Sequence, residues 1–265
     1  LFSIKTAWAT GVPSKWTNYG AMTNKGTEFS IGWRDQVGDF NYSVSANIGT
    51  VRNRVDKLGD TYYEAGSNGI NRTEVGRSIG DFYLLQYDGI FQSMDDVFNH
   101  TTTKADGTVV VLQPNAQPGD VRYKDVNGDG AIDANDRDWS GSPLPKFQGG
   151  FNVSAAWKGI DFNMFWVFKY GNKVFNDVRY NTLSFNVNNI PADVDPWTWD
   201  NPSTEYPRMY ANSTTNNQYQ VDRFLEDGSY LRLSNLQLGY TFPAKWLKKI
   251  YMQKLRVYVS GVNLW

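Results

Sequence analysis

The sequence contains no cysteine, and this absence excludes disulfide bonds, thiolate metal sites and thiol nucleophiles. Its only histidine is His100, so a histidine-dependent triad and a multi-histidine zinc site are also excluded within this chain. We expect His100 to be a solvated loop residue. The formal net charge is −1, which provides no basic surface for a nucleic acid.

Long apolar runs are missing as well. No segment approaches the roughly 18 to 20 apolar residues that a membrane-spanning helix needs; the densest apolar stretch is Met164–Phe168. The sequence does not begin with basic residues followed by an apolar core, so it shows no signal-peptide pattern. Aromatic residues, in contrast, make up 15% of the 265 residues. Polar and small residues fill the stretches between them.

Several segments of about ten residues alternate apolar with polar or small side chains, which is the period of a β-strand with two different faces. Their apolar positions are Phe29, Ile31 and Trp33; Phe40, Tyr42, Val44, Ala46 and Ile48; Phe151, Val153, Ala155 and Trp157; Phe162, Met164, Trp166 and Phe168; Leu231, Leu233, Leu236, Leu238 and Tyr240; and Leu255, Val257 and Val259. In the fifth segment Ser234-Asn235 shifts the phase by one residue, which predicts a β-bulge inside one long strand.

The connections between these segments alternate in length. Asp35–Gly38 is short, Lys158-Gly159 is a tight hairpin turn, and Pro243–Gln253 has room for one helical turn. Arg52–Lys146 and Gly171–Gly228 are very long, and their content of Asn, Asp, Thr and Pro is typical of loops. Short turns at one end and long loops at the other are typical of transmembrane β-barrels.

Two interpretations of the alternating strands remain open at this point. A soluble β-sandwich alternates core and solvent residues in the same way. The barrel is favoured by aromatic residues near strand ends, such as Trp33, Trp157 and Tyr170, because interface girdles lie there. The opposite face carries Ser, Asn and other small polar residues, which suits a wet channel. The pattern therefore favours an all-β fold, an antiparallel transmembrane β-barrel with long extracellular loops, over the soluble sandwich.

Several motifs resemble one family, in the order in which that family carries them. They are Asn24-Lys25-Gly26-Thr27-Glu28 before a strand; Tyr87-Asp88-Gly89-Ile90-Phe91-Gln92; Pro118-Gly119-Asp120-Val121-Arg122-Tyr123-Lys124-Asp125; Gly141–Pro145 with Phe147 and Gly150-Phe151; Asp227–Leu233 with Leu238–Pro243; and Val257–Leu264. Together they resemble the late barrel strands of SusC/RagA-type TonB-dependent outer-membrane proteins over nearly the whole chain.

This resemblance implies that residues 1–265 are the carboxy-terminal part of a TonB-dependent receptor barrel of roughly 22 strands. It implies a location in the outer membrane of a Gram-negative bacterium and the import of an oligosaccharide or a peptide. A SusD-like surface lipoprotein and the TonB complex are the implied partners, besides the lipid bilayer. Nothing in the sequence resembles the plug domain or the family's last strands, so we expect this chain to be a portion of a longer polypeptide.

An acidic segment within residues 118–138 has the spacing of an EF-hand-type calcium loop. Oxygen ligands fall at loop positions one, three, five, nine and twelve, a glycine occupies position six, and a backbone carbonyl serves at position seven. The candidate ligands are Asp125, Asn127, Asp129, Ala131, Asp133 and Asp136. Ile132 is expected to pack inward. We predict a structural calcium ion; an Asx-turn-rich loop that binds nothing tightly is the alternative.

A cluster of aromatic residues in the second long connection is the candidate ligand site. It comprises Trp197, Trp199, Tyr206 and Tyr210. Exposed rings would stack on sugars or on peptide side chains, whereas buried rings would pack the connection against its neighbours. We interpret the carboxylate pairs of the chain as solvated loop residues and not as a catalytic pair. They include Asp95-Asp96, Asp193 with Asp195, and Glu226-Asp227. We therefore expect a transporter and not an enzyme. A soluble, calcium-braced carbohydrate-binding β-sandwich is the alternative function.

Overall fold

The computed structural model describes residues 2–5, 11, 14–17, 20–59, 62–65, 69–183, 191–210, 220–248 and 251–265. The chain divides into two compact units. The sheet unit comprises Asn24–Asn53, Leu144–Lys173 and Asp227–Trp265, and the loop unit comprises Leu1–Thr23, Arg54–Pro143 and Val174–Glu226. The polar stretches of residues 186–189 and 212–217, expected to be loops, lie outside the described residues.

Short and long strands make up most of the described structure. In chain order they are β1 (Phe2–Lys5), β2 (Ser14–Thr17), β3 (Ala21–Val37), β4 (Phe40–Lys57), β5 (Tyr62–Ala65), β6 (Asn71–Glu74), β7 (Asp81–Leu85), β8 (Tyr87–Ile90), β9 (Thr101–Thr103), β10 (Val109–Val111), β11 (Val121–Tyr123), β12 (Arg137–Gly141), β13 (Phe147–Trp157), β14 (Ile160–Tyr170), β15 (Lys173–Phe175), β16 (Leu225–Asp227), β17 (Tyr230–Thr241) and β18 (Arg256–Val262). The helices are α1 (Met94–Asn99), α2 (Asp177–Leu183) and α3 (Ala244–Leu247), with 3₁₀ turns at Ala134–Asp136 and Asp222–Phe224. Among the described residues, no helix is both long and apolar enough to cross a membrane.

The sheet unit is one antiparallel sheet of six strands in the order β3-β4-β13-β14-β17-β18. The six strands therefore lie in the sheet in the order in which they occur along the chain. The turns β3–β4 and β13–β14 are short, and the connections β4–β13 and β14–β17 are the long ones, as predicted. Lys158 and Gly159 both have positive φ, 46° and 89°, which is the backbone of a two-residue type I′ hairpin. The predicted helical turn is α3.

Strand register places the predicted apolar residues on one face of this sheet. Val153 lies opposite Val44 on β4 and Met164 on β14, and Met164 in turn lies opposite Leu236 on β17. The other face carries small polar residues that bond across strands. One such contact joins the Ser43 and Ser154 hydroxyls at 2.7 Å. Because side chains alternate along each strand, the two faces differ in character. Phe165 and Val167 of β14 are apolar residues on the otherwise polar face, where Phe165 lies opposite Asn152 and Asn235.

The predicted bulge is confirmed in β17. Phe165 lies opposite Asn235 and Trp166 lies opposite Leu233, so Ser234 is the extra residue. The insertion restores the apolar phase: Leu231 and Leu233 before it and Leu236 and Leu238 after it share one face, which an unbroken alternation would not allow.

The apolar face is not the inside of a sandwich. Leu247 of α3 is the only buried hydrophobic residue that the described part of the sheet unit contains, whereas Trp157 is 49% and Leu238 is 56% exposed. Phe151, Met164, Trp166 and Leu233 are only partly buried. A sandwich would bury these side chains against a second sheet. An exposed apolar face of this kind is typical of the wall of a transmembrane β-barrel.

The long connections are folded, which differs from the loop expectation. Strands β12, β7, β6 and β5 form a four-stranded sheet, and the pairs β8–β11 and β9–β10 form two small ones. A central cluster of buried residues comprises Leu85, Val121, Tyr123, Leu183, Val221 and Phe224. Most strands here have only three to five residues, too few to reveal a period in the sequence.

The expectation that His100 is a solvated loop residue is wrong. His100 is half-buried rather than solvated, and its Nε2 lies 2.9 Å from the Tyr123 carbonyl oxygen. Its ring also meets Phe91 edge-on, with ring centroids 5.5 Å apart. Burial lowers the pKa of His100 below its ordinary value, although the bond to the Tyr123 carbonyl opposes this shift.

Candidate ligand and cation sites of the loop unit

The acidic loop begins just after β11 and is shaped by its own backbone amides. Gly128 and Gly130 have φ of 74° and 85°, which allows the chain to fold over Asp125. The Asp125 Oδ1 accepts a hydrogen bond from the Gly128 amide at 2.7 Å, and Oδ2 accepts one from the Gly130 amide at 3.1 Å. The first candidate ligand thus organises the turn that should surround a cation.

Asp136, the candidate ligand at position twelve, closes the loop. It is fully buried. Its Oδ1 accepts a hydrogen bond from the Val126 amide at 3.0 Å, and its Oδ2 accepts one from the Asp133 amide at 2.8 Å. Asp133 caps the 3₁₀ turn in return, which forms a reciprocal capping box. In this geometry, both Asp136 oxygens bind backbone.

The three middle candidates, Asn127, Asp129 and Asp133, are exposed and accept bonds from amides two residues further on, at 2.8, 2.9 and 2.6 Å. Ala131 is exposed, and Ile132 packs against the central cluster as predicted. The described residues contain no group of three or more acidic, histidine or cysteine side chains arranged to hold a metal. The donors are nevertheless all oxygens, which suits calcium, and each keeps a second lone pair. Calcium binding stays a prediction.

Trp197 lies inside the loop unit, where it is only 5% exposed. Its indole Nε1 donates a hydrogen bond to the Gln92 Oε1 at 3.2 Å, and its backbone amide donates one to the Tyr206 carbonyl at 3.0 Å. The ring covers Gly119, where an added Cβ would lie 2.5 Å from the indole. Trp197 is therefore a packing residue in this structure, as the alternative interpretation of the aromatic cluster expected.

An ion pair fixes the same segment to the Pro118-Gly119-Asp120 turn. Asp120 is 2% exposed, and it binds the Arg208 guanidinium through two contacts of 2.6 and 3.0 Å. The Arg208 amide also donates to the Gly119 carbonyl at 2.8 Å. Asp120 and Arg208 are 88 positions apart, so sequence spacing gave no signal for this pair. The motif that contains Asp120 was visible in the sequence, but its partner was not.

Of the four predicted aromatic residues, only Trp199 presents its ring to solvent, with 75% exposure. It stands on a turn closed by mutual backbone bonds between Thr198 and Asn201, of 2.9 and 3.1 Å. Its ring meets Trp197 edge-on at 5.1 Å. Tyr206 packs against the central cluster, and the Tyr210 ring lies 4.4 Å below the Arg208 guanidinium. The four side chains do not form one open platform.

Three carboxylates of the pairs considered in the sequence have structural partners, namely Asp96, Glu226 and Asp227. Asp96 accepts a hydrogen bond from the Gln92 amide at 3.1 Å and pairs with Arg122 at 3.0 Å, at the start of α1. Glu226 accepts one from Asn176 at 2.8 Å, and Asp227 accepts one from the Ser229 amide at 2.9 Å. These contacts shape helix ends and turns.

Comparisons with known proteins agree with the sheet geometry. No family model matches the chain. TonB-dependent receptor P3 of Formosa agariphila is 33% identical over 263 residues, which are 96% of this chain and 25% of that protein. TonB-dependent receptor SusC of Bacteroides thetaiotaomicron is 26% identical over 95% of this chain and 24% of its own length. The solved RagAB peptide transporter superposes on 99% of this chain and 28% of its own, with a TM-score of 0.72 and 25% identity. The chain belongs to the SusC/RagA family of TonB-dependent receptors.

This chain spans about a quarter of the length of the curated TonB-dependent receptors that it matches. The six-stranded sheet is accordingly part of a TonB-dependent transporter barrel. The relatives are receptors and transporters, in line with the expectation of a non-enzymatic protein.

Proposed function

We propose that the protein imports a nutrient across the outer membrane of a Gram-negative bacterium, and that this chain supplies barrel wall and folded extracellular loops. The observation that carries the proposal is the sheet with two different faces. The side chains of its apolar face are not buried in a core, and polar side chains of the other face form hydrogen bonds across strands. In a bilayer the apolar face contacts hydrocarbon, and the polar face lines a channel.

The proposed cargo is an oligosaccharide, with a peptide as the second candidate. Likeness to SusC and to the RagAB peptide transporter supports import by a SusC/RagA-type receptor, but these relatives are similar over a quarter of their length only. A SusD-like surface lipoprotein and the TonB complex are the proposed partners.

Uptake by intact cells tests this function. Cells that carry the full-length protein should take up a fluorescent oligosaccharide or peptide, and should lose that uptake when either the gene or TonB is deleted. The protein extracted in detergent should retain a surface lipoprotein during affinity purification. Uptake that is unchanged without TonB would contradict the proposal.

We also propose that the acidic loop binds calcium as a structural ion. Asp125, Asn127, Asp129, Asp133 and Asp136 would supply side-chain oxygens, with the Ala131 carbonyl as a further ligand. The bound ion would hold the loop closed in addition to the amide bonds already described.

Calcium titration of the metal-free full-length protein tests this site. The double change Asp129→Asn and Asp133→Asn should weaken calcium binding by about tenfold or more, because two of the charged ligands become neutral. Asp106→Asn, in the turn between β9 and β10, is the matched control and should leave binding unchanged. Equal calcium binding by the double variant would refute the site.

Trp199 is the proposed ligand-contacting residue of the aromatic cluster. The hydrogen-bonded turn between Thr198 and Asn201 holds its exposed ring in place, so stacking costs little further ordering. Trp199→Ala should weaken binding of a starch-derived oligosaccharide or a tryptic peptide pool by about 0.5 to 1.5 kcal/mol. Phe98→Ala removes another exposed ring of the loop unit and is the control. Equal effects of the two changes would count against a specific contact.

A further inference from the structure

On the polar face of the sheet, an ion pair joins two strands that are not neighbours. Asp161 of β14 and Arg256 of β18 are separated by β17. Two contacts connect them: the Arg256 Nε lies 3.0 Å from the Asp161 Oδ1, and Nη2 lies 2.5 Å from Oδ2. This is the two-pronged arrangement that arginine makes with a carboxylate, in which both distance and direction are fixed.

The ion pair passes over Gly239 of β17. In the register, Gly239 lies opposite Asp161 on one side and Tyr258 on the other. A Cβ at this position would lie 2.6 Å from both Asp161 carboxylate oxygens and 2.7 Å from the Arg256 Nη2. Such distances are too short for real contacts, so any larger residue at position 239 would displace the pair.

Not every glycine in a strand of this sheet has such a neighbour. Gly32 of β3 lies on the same polar face, and an added Cβ there would meet nothing closer than the Ser45 Cβ at 3.9 Å. At Gly149 and Gly150 of β13 the nearest atoms are backbone carbonyl oxygens, whereas at Gly239 they belong to the Asp161 and Arg256 side chains. The requirement at position 239 therefore arises from the ion pair.

We propose that Asp161, Gly239 and Arg256 form a register clamp that fixes β18 against β14 across the intervening strand. β18 is short, with seven residues, and backbone ladders alone accept a shift by two residues without changing which side chains face which side. A two-residue shift moves Arg256 by about 7 Å along the strand, which breaks both contacts. The clamp thus selects one register among those that the apolar pattern permits.

A double-mutant cycle in the full-length protein tests the clamp through its unfolding rate, read from the gel shift between folded and heat-denatured barrel. Gly239→Ala should speed unfolding by about two- to fivefold, because its methyl group displaces an ion pair that is largely exposed to solvent. Gly32→Ala should change the rate little. When Asp161→Ala has already removed the carboxylate, adding Gly239→Ala should cause no further acceleration. Independent, multiplying effects of the two changes would overturn the clamp.

A second readout separates register from mere stability, and the absence of native cysteine makes it clean. Leu238 and Val259 lie directly opposite on the apolar face, away from the clamp. Cysteines at these positions should form a disulfide in the native register. Cysteines at Leu238 and Val257 report a two-residue shift, and their cross-linking should rise by about tenfold when Asp161→Ala is added. Unchanged cross-linking in the Asp161→Ala background would show that the ion pair does not set the register.

Discussion

Gly119 shows how one residue can hold two distant segments together. Its φ is 89°, and an added Cβ would lie 2.5 Å from the Trp197 ring and 2.8 Å from the Arg208 Cβ. Gly119→Ala should therefore combine backbone strain with overpacking and lower the free energy of unfolding of the loop unit by about 2 to 4 kcal/mol. Thermal or denaturant unfolding of the full-length protein measures this loss.

Gly107 provides the control for that change. Its φ of 84° is similar, but nothing lies within 4 Å of an added Cβ. Gly107→Ala should therefore show the backbone cost alone, about 1 kcal/mol. Equal losses at the two positions would mean that the contact with Trp197 and Arg208 adds nothing.

His100 should make the loop unit sensitive to acid. Burial lowers its pKa below the ordinary value of 6.5, Arg122 lowers it further, and Asp88 and Asp96 oppose this shift. The unfolded chain therefore binds the proton more readily than the folded one. The stabilising contribution is complete above the unfolded pKa, and it is lost as the pH falls from about 6.5 towards the lower folded value.

The measurement is the unfolding midpoint of the loop unit at about pH 8 and about pH 5, for the wild type and for His100→Gln, which does not titrate. The variant should lose less stability on acidification, because the other titrating groups are common to both proteins. An equal loss in the two proteins would exclude His100 as a contributor.

The solvent exposure of individual aromatic residues could not be predicted from the sequence. Trp197 and Trp199 are two positions apart, yet one is 5% and the other 75% exposed. The difference depends on Gln92 and Gly119, which come from another connection and which no local pattern associates with either ring. The spacing of the acidic loop was visible, but the use of Asp136 to close the loop through three amides was not.

At the scale of one element, the bulge in β17 makes a direct prediction. Deleting Ser234 would move Leu231 and Leu233 to the polar face and Arg232 to the apolar face, because alternation is strict. The deletion variant should fail to give the folded, heat-modifiable barrel. Ser234→Ala keeps the residue count and should fold normally. Normal folding of the deletion variant would show that the bulge does not set the phase.

The elements that could be predicted well from the sequence are those in which the alternation extends over many residues. The alternation in β4, β13, β14 and β17 extends over 11 to 18 residues, and the Lys158-Gly159 turn has a clear backbone requirement. The strands of the loop unit are too short for that. Strand β11, for example, has three residues, and both Val121 and Tyr123 are buried among residues that arrive from β7 and the 3₁₀ turn at Asp222–Phe224.

Over the whole chain, the aromatic and aliphatic residues have two separate uses. In the loop unit they form buried clusters around Leu85, Phe91 and Leu84. In the sheet unit they stay on an open face, where Phe40, Trp157 and Leu238 remain at least 41% exposed. A protein in water rarely leaves an apolar face of this kind uncovered, and a bilayer covers it without a second layer of protein.

Site-directed spin labelling of β14 can show whether the apolar face contacts lipid, since the chain has no cysteine to compete with the label. Single cysteines from Ile160 to Tyr170, introduced into the full-length protein in lipid bilayers, would carry the label. If the apolar face contacts lipid, collision rates with oxygen, which dissolves in lipid, should be high at even-numbered positions such as Phe162, Met164 and Trp166. Accessibility to a water-soluble nickel reagent should be higher at odd-numbered positions such as Asn163. Accessibility without a two-residue period, or oxygen exposure at the odd positions, would contradict lipid contact by the apolar face.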